Sequence, residues 1–553
     1  MRKTVLLTIL SLTTTVFCSY SQNWLWANSA GGANIDGAGS VCLDQNGNTF
    51  ITGNVQEPTA YFQTDTFSVN GFNDIFLAKY DVNGNEVWVK HFGGIYNNTF
   101  SQKVENGQVV TYNATTNSIY VIGIFVGSCA IDSITLFANS PSDQQIFLAK
   151  FDLNGNCIWA KSAGSAGDDY AIGLTTSQSG NIFISGTTKY NAIFDTISIT
   201  HGGFIAMYND NGNCQWVKNI FRGSDSSAGA SGSPMSIKIF NNDIFMVGQK
   251  NSDTVYVDTI LFTGANYYPN ILARFDSSGN AKWAKQLGGP IAYYGYLSMD
   301  NNGNCYFGSQ FKGGYAVLET DTVYSTGATD FFFVKYDQNG NFKWVRQCSA
   351  TVSARAIGCS ADGIGNVYLT GSFSGNATFG TFNIAANTSE DFFLARYDTD
   401  GNCLGVRHGG QAAGYDVSTH ENGNCVVVGK FKNSVSLGSS TLFSSGYDDI
   451  FVAKTEAITG IGNSSQRMSN NNQLLIYSNL ATGKCNITIP DDFQEEKNLT
   501  LYIYEYSGKL IQQVAVTSDS EKLKMNIEEE AKGTYNIVLS NGNKNYSGKI
   551  IFE

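Results

Sequence analysis

Asn23-Trp24-Leu25-Trp26-Ala27-Asn28-Ser29-Ala30-Gly31-Gly32 aligns position by position with Asn85-Glu86-Val87-Trp88-Val89-Lys90-His91-Phe92-Gly93-Gly94, and this match decides the fold. The second stretch closes a repeating unit, whereas the first stands alone before any unit has begun. Working outward, a G-N-apolar-x-G segment occurs seven times, at 47–53, 117–123, 180–186, 242–248, 303–308, 365–371 and 423–429. Each is followed by a D-x-F-x-A-K-type strand, at 74–79, 145–150, 203–207, 270–274, 330–335, 391–396 and 449–454. Six of the seven continue through a D-x-x-G-N turn into a strand ending at or near W-[VA]-[KR]; the seventh, which ends at Lys454, does not. The stray strand at the start supplies the missing piece. The expectation is a ring whose last unit is completed by its first strand, with Trp24 and Trp26 at the closure.

The equivalent positions Trp26, Trp88, Trp159, Trp216, Trp283, Trp344 and Gly405 lie 57 to 71 residues apart. Four or more short strands in such a period are the pattern of a β-propeller blade with long loops. In the sixth unit the inner strand is read at 354–362, the second at 366–373, the third at 391–398 and the outer at 402–407, with an extra hairpin arm at 377–384. In the turn Asp81-Val82-Asn83-Gly84-Asn85, Gly84 supplies a positive φ and Asp81 accepts turn amides. A straight hairpin from that turn pairs Trp88 with Ala78, and likewise Trp159 with Ala149, Trp216 with Ala206 and Trp283 with Ala273. Gly405 breaks the series.

Composition agrees with an all-β chain. Apolar residues make up 42% of the 553, and 59 Gly against 6 Pro suit many tight turns. Only 14% are charged, too few for long solvent-facing helices. The net charge is -12, and excludes nucleic acid or anionic lipid as the main partner, since phosphate binding needs a cationic stripe.

Met1-Arg2-Lys3, the apolar run 4–18 and Ser19-Tyr20-Ser21 read as a secretory signal peptide over 1–21, cleaved between Ser21 and Gln22. Phe17 is too bulky for the residue before a lipidated Cys18. No later segment has 18 uninterrupted apolar residues, so no transmembrane helix is expected. Ten cysteines follow the leader at positions that repeat between units, too far apart to bridge, and are expected mostly as free, buried thiols.

The propeller is placed at 22–454. Residues 455–472 are polar, lack alternation and mark a linker. Residues 473–553 carry about seven short alternating runs, the pattern of a small β-sandwich.

The tail resembles the C-terminal sorting domain of type IX secretion cargo in Bacteroidetes-type bacteria. The matching stretches run from Leu474 to Lys484 with Gly483, from Leu501 to Leu510 with Gly508 and Lys509, from Lys532 to Tyr535 with Gly533, and from Lys549 to Phe552. Ser478 and Leu480 stand where the family usually has prolines. The resemblance implies handling by the type IX secretion machinery, export across the outer membrane, loss of the tail, and either release or anchoring on surface lipopolysaccharide. Residues 23–454 are similar to the bacterial seven-bladed propeller repeat of the D-x-x-G-N-x-Y-[VI]-T-G type. That likeness bears on fold, because propellers host enzymes, lectins and scaffolds alike.

Chemistry is sparse. The chain has no G-x-S-x-G, H-E-x-x-H or P-loop sequence, so no catalytic residue, metal ligand or cofactor is assigned. Of four histidines, His91 and His408 share a repeat position on units that are not neighbours. The D-x-N-G-N turns lack the distal glutamate of a calcium loop and read as hairpin turns. The cations after each Trp spread around the rim. Two constellations remain. Asp36, Asp169 and Asp416 lie before inner strands; on one face of a ring they would gather a cation or sugar hydroxyls, and the bland alternative is an Asp capping each loop. Asp-[Ser/Thr]-apolar occurs at Asp65-Thr66-Phe67, Asp132-Ser133-Ile134, Asp195-Thr196-Ile197, Asp258-Thr259-Ile260 and Asp321-Thr322-Val323. Ser133, Thr196, Thr259 and Thr322 resemble the O-glycosylation sequence of exported Bacteroidetes proteins, with a turn into the arm hairpin as the alternative. The expected function is a secreted or surface-attached binding or adhesion module for an extracellular glycan or protein. The competing readings are a polysaccharide hydrolase or lyase and a purely structural surface protein.

Overall fold

Second and third strands such as Ser118–Val126 and Gln144–Phe151 are apolar through their middles, and every residue in them is buried. Strands covered on both faces must be packed between other sheets. That is their place in the computed structural model, which describes residues 24–95, 105–223, 232–264, 269–287, 292–312, 314–420 and 422–458. In the tail it describes 474–477, 480–481, 484–490, 493, 499–505, 510–516, 522–526, 533–541 and 545–552. Ser21, Gln22 and the greater part of the 455–472 segment lie outside these residues.

The chain divides into two units, 1–462 and 463–553. In the first, seven antiparallel four-stranded blades follow one another. Their inner strands are Gly37–Leu43, Asn106–Asn113, Tyr170–Thr176, Gly232–Phe240, Ala292–Met299, Ser353–Ala361 and the second half of Cys403–Thr419. The apolar clusters sit between blades: Phe50, Ile75 and Leu77 of blade 1 share one with Val110, Ile119 and Val121 of blade 2. Blade 7 takes Trp24–Gly32 as its outer strand, antiparallel to Ser440–Thr455 with Ala27 opposite Ala453 and Ala30 opposite Ile450. The expected closure is therefore the observed one.

The register of the outer strands differs from the straight-hairpin expectation by one residue. Tyr80 pairs with Glu86, but Lys79 pairs with Trp88, leaving Val87 as a bulge that is 51% exposed. Ala78 faces Val89 instead. The same shift sets Trp159 opposite Lys150, Trp216 opposite Met207 and Trp283 opposite Arg274. A bulge carries one unpaired residue and bends its strand, which here swings each indole toward the next blade. Trp88 Nε1 donates to Leu153 O at 3.1 Å, in the turn of blade 2, and its ring lies on Gly155, where an added Cβ would meet it at 3.1 Å. Trp26 reaches Val82 O and lies on Gly84, Trp159 reaches Asp210 O and lies on Gly212, and Trp344 reaches Thr399 O and lies on Gly401. The opposed cation makes the same crossing: Lys79 Nζ donates to Leu153 O at 3.0 Å while sitting 5.3 Å from the Phe50 ring centroid.

This latch accounts for Gly405. A Trp there would lie on the turn of blade 7, which has none, because its outer strand comes from the other end of the chain. The chain instead leaves the third strand at Thr455 and brings Ile458 over Gly405, whose Cβ, if present, would stand 2.6 Å from Ile458 Cγ2. Ile458 is 5% exposed, and its N–H donates to Tyr368 Oη while its carbonyl accepts from Arg396. Ordered packing of the ring thus runs past Lys454 to Ile458.

The second unit has a three-stranded sheet (Leu475–Tyr477, Lys484–Thr488, Lys522–Asn526) and a five-stranded sheet containing Gly533–Ser540 and Asn545–Phe552. They enclose one core that includes Ile487, Leu501, Ile503, Tyr535 and Ile537. Tyr535 is buried, Gly533 opens its strand, and Lys549 pairs with Asn536. Gly483, Gly508 and Lys509 lie outside the described residues.

Candidate functional site

Antiparallel order puts the inner-to-second and third-to-outer turns on one face of the ring, and the hairpin arms and blade-to-blade loops on the other. Between the faces, residues from all seven inner strands line a cavity of about 440 Å³. Its wall is mostly backbone, hydroxyls and tyrosines. Asp416 and Lys238 are the charged side chains among the described lining residues. Toward the turn face it meets a second hollow of about 530 Å³ between Asp44, Gln45, Tyr112 and His420.

The three carboxylates expected to gather on one face are not brought together. Asp416 lies six residues beyond Gly410, against four from Gly32 to Asp36, and so falls within the inner strand, where its carboxylate accepts from Ser40 Oγ, Val41 N and Val417 N, each at 2.9 Å. It thereby ties blade 7 to blade 1. Burial raises its pKa. Lys238, on blade 4, lies near enough across the channel to favour its charged form, and that of the Cys42 and Cys359 thiols.

Asp36 and Asp169 are fully buried at the arm-face ends of inner strands. Asp36 accepts from Gly32 N at 2.6 Å and Gln56 N at 2.7 Å; Asp169 accepts from Ser165 N at 2.5 Å and Lys189 N at 2.9 Å. Each staples the incoming loop to the end of its own blade's second strand. The alternative of loop-capping acids describes them, and neither carboxylate is open to a ligand. The third member of this set is Glu105, which accepts from Gly94 N and Val126 N in the same pattern. It escapes sequence comparison because its loop is longer: eleven residues separate it from Gly94, against four from Gly32 to Asp36.

The Asp-[Ser/Thr] motifs sit at the tips of the arms. Asp132, Asp195 and Asp258 hold positive φ, at 50°, 52° and 55°, in two-residue turns, a conformation Asp tolerates better than most residues. Their carboxylates accept from the first amide of a neighbouring outer strand: Cys157, Cys214 and Ala281. Ser133, Thr196 and Thr259 follow them, exposed. Thr322 is not their equivalent. In that arm Glu319 holds the positive φ, so Thr320 is the tip residue and Thr322 lies within the second arm strand.

His91 Nδ1 lies 2.9 Å from Asp74 Oδ2, and the equivalent His408 lies 3.7 Å from Asp391, so both face their own blade's third strand. Nine cysteines among the described residues are free. Among the described residues no cluster of three or more His, Cys, Asp or Glu is arranged to hold a metal, and no helix is long and apolar enough to cross a membrane.

Residues 475–553 match the family described as the secretion system C-terminal sorting domain. The chain is similar to an uncharacterised WD-repeat-containing protein of Acanthamoeba polyphaga mimivirus, 22% identical over 505 residues. That match takes in 74% of this chain, which spans about a third (36%) of the relative's length. Similar solved structures include a luciferin-regenerating enzyme at 10% identity, covering 64% of this chain and 93% of that one, TM-score 0.30. Another is YCF48 bound to D1 peptide, at 13% identity, 63% and 94% coverage, TM-score 0.29. A third is Trypanosoma rangeli sialidase in complex with sialic acid, at 8% identity, 94% and 83% coverage, TM-score 0.28. With TM-scores this low, none bears on how the ring is built or used. The chain is a β-propeller with a type IX secretion sorting domain at its C-terminus, and that domain implies export to the cell surface or the extracellular space.

Proposed function

We propose that this protein is a non-catalytic binding module, displayed on or released from the cell surface, that takes an extracellular glycan or protein at the mouth of its channel. The observation that carries this reading is how the acids are used. Asp36, Asp169 and Glu105 are engaged with backbone amides inside the ring, and Asp416 with three donors of the wall, so none is placed as a general acid. What remains open is a concave wall in which tyrosines, serines and Thr111 stand among aliphatic residues with Lys238 as its cation, a lining suited to mixed polar and apolar ligands such as sugars. The full chain on an array of bacterial, plant and host glycans is expected to retain a defined subset. Lys238→Ala and Tyr112→Ala should each weaken retention about tenfold, a loss of about 1.4 kcal/mol. Silence across the array, together with no protein captured from the native surface, defeats the proposal.

The exposed arm tips support modification at Ser133, Thr196 and Thr259. Intact-mass spectrometry of protein secreted by its native host should show a glycan excess that disappears in the Ser133→Ala, Thr196→Ala, Thr259→Ala triple variant. A mass equal to that of the bare polypeptide dismisses it.

A further inference from the structure

On the arm face, Asp74, Gln145, Asp330 and Asp449 hold the same repeat position in their third strands, beside the start of the next blade's inner strand. The repeat provides several versions of this contact. Between blades 5 and 6, Asp330 meets the Ala354 end, and its carboxylate is saturated as an anion: Oδ2 accepts from Thr326 N at 2.7 Å and Oδ1 from Ala350 N at 3.0 Å. Between blades 2 and 3 the acid is replaced by Gln145, which meets Asp169. Its Nε2 donates to Ala163 O at 3.0 Å and lies 3.3 Å from Asp169 Oδ2. On both sides of blade 1, acid meets acid: Asp449 faces Asp36, and Asp74 faces Glu105.

These oxygens converge. A Cβ on Gly31 would stand 2.7 Å from Asp449 Oδ1 and 2.8 Å from Asp36 Oδ2; one on Gly93 would stand 2.5 Å from Glu105 Oε2 and 2.6 Å from Asp74 Oδ1. The matching point at Gly164 lies against Gln145 Nε2 and Asp169 Oδ2. Where the glutamine presents a donor, the two acids present Asp449 Oδ1 and Asp74 Oδ1, both buried and both without a hydrogen-bond partner. Their residues are 2% and 0% exposed. Two ionised carboxylates cannot face each other there without a positive charge between them.

We propose that each pair binds one proton, shared between Asp449 and Asp36 and between Asp74 and Glu105, so that blade 1 is clipped to both neighbours by hydrogen bonds that last only while the protons are held. The other groups facing these pairs are few. Asp74 Oδ2 has His91 and Asn70 N, and Glu105 has the Cys129 thiol nearby. Beside Asp449 stands Asp448, itself paired with Lys430 at 2.9 Å. Burial pushes Asp36 and Asp449 up to about 6 and Glu105 up to about 8. With folded values above the ordinary carboxylate range near 4, the native ring holds more protons than the unfolded chain. The clips therefore contribute fully in acid and are lost as pH rises, through about 6 at Asp36 and Asp449 and through about 8 at Glu105.

The test is the melting temperature of the full chain from pH 5 to 9. The wild type should lose stability as pH rises across that range. The Asp449→Asn, Asp74→Asn double variant, which supplies the amide donor that Gln145 supplies naturally, should flatten the profile and melt about 3 °C above the wild type at pH 8.5. Asp330→Asn, which removes a saturated carboxylate, should lower melting at every pH instead. A double-variant profile parallel to that of the wild type overturns the proposal, and so does a wild-type melting point that falls with EDTA and returns with calcium, which places a metal in the proton's position. Should the double variant not fold, the infrared carbonyl band of a protonated carboxylic acid reads the same protons in the unmodified protein. Its persistence at pH 7.5, above the value near 6 that burial also gives Asp169, and its loss at pH 9.5 support the Glu105 clip, and its absence at pH 6 rules both clips out.

Discussion

Deletion of Trp24–Gly32 is expected to leave a chain that is secreted poorly, aggregates, and shows no cooperative melting of the ring. The segment is nine residues long, yet it is the whole outer strand of blade 7. Without it, Ser440–Thr455 presents an unpaired edge from Ile450 to Thr455, whose side chains from Ile450 to Ala453 are fully buried in the intact ring. An apolar strand with free backbone donors and acceptors is a template for pairing with another chain. The deletion also removes Trp26, and with it the indole that lies on Gly84 and donates to Val82 O across the closure. A propeller blade cannot bury both faces alone, so opening one junction withdraws cover from blades 1 and 7 together. Calorimetry and light scattering of the deletion, beside a Leu25→Ser variant changed at the strand's one exposed position, decide the matter. A deletion that melts with the wild type and stays monomeric means the ring is held shut by something other than this strand.

The closure was legible in the sequence because it rests on a count: seven second and third strands against six outer strands that follow them, with one more found upstream. The second and third strands themselves stood out through the repeated G-N-apolar-x-G and D-x-F-x-A-K segments, and the D-x-x-G-N turns through a glycine that must adopt positive φ. What the repeat pattern hid were single-residue insertions. The bulge at Val87 leaves the alternation around it intact, so nothing in the letters separates Lys79 from Ala78 as the partner of Trp88. Asp416 was misplaced for another reason: it lies six residues past Gly410, against four from Gly32 to Asp36, and its pairing makes it the equivalent of Ser40. Glu105 was hidden in the opposite way, by a loop long enough to break the alignment. The lining of the channel was not legible, since Lys238 and Asp416 belong to blades 4 and 7 and line one cavity only when the ring is closed.

The latch between blades predicts opposite outcomes for one residue type at equivalent positions. Trp88→Ala should destabilise the ring by about 3 kcal/mol, because it removes a large side chain seated on Gly155, its bond to Leu153 O and the support it gives Lys79. Gly405→Trp restores the repeat consensus, and a consensus argument expects it to stabilise. The structure predicts a loss of about 2 kcal/mol, since Ile458 already fills the space that an indole would enter. A double-mutant cycle separates the two arguments. If Ile458 is the obstacle, Gly405→Trp in an Ile458→Gly background should cost less than in the wild type, with a coupling of about 1 kcal/mol or more. The same cycle tests where the ring ends. Ile458 lies beyond the last repeat residue, Lys454, and a coupling to Gly405 means that the chain leaving blade 7 serves as the seventh latch, in place of the tryptophan and turn that the other junctions share. Additive losses, or a stabilising Gly405→Trp, show instead that Ile458 moves aside freely and that the glycine has no structural reason to be there.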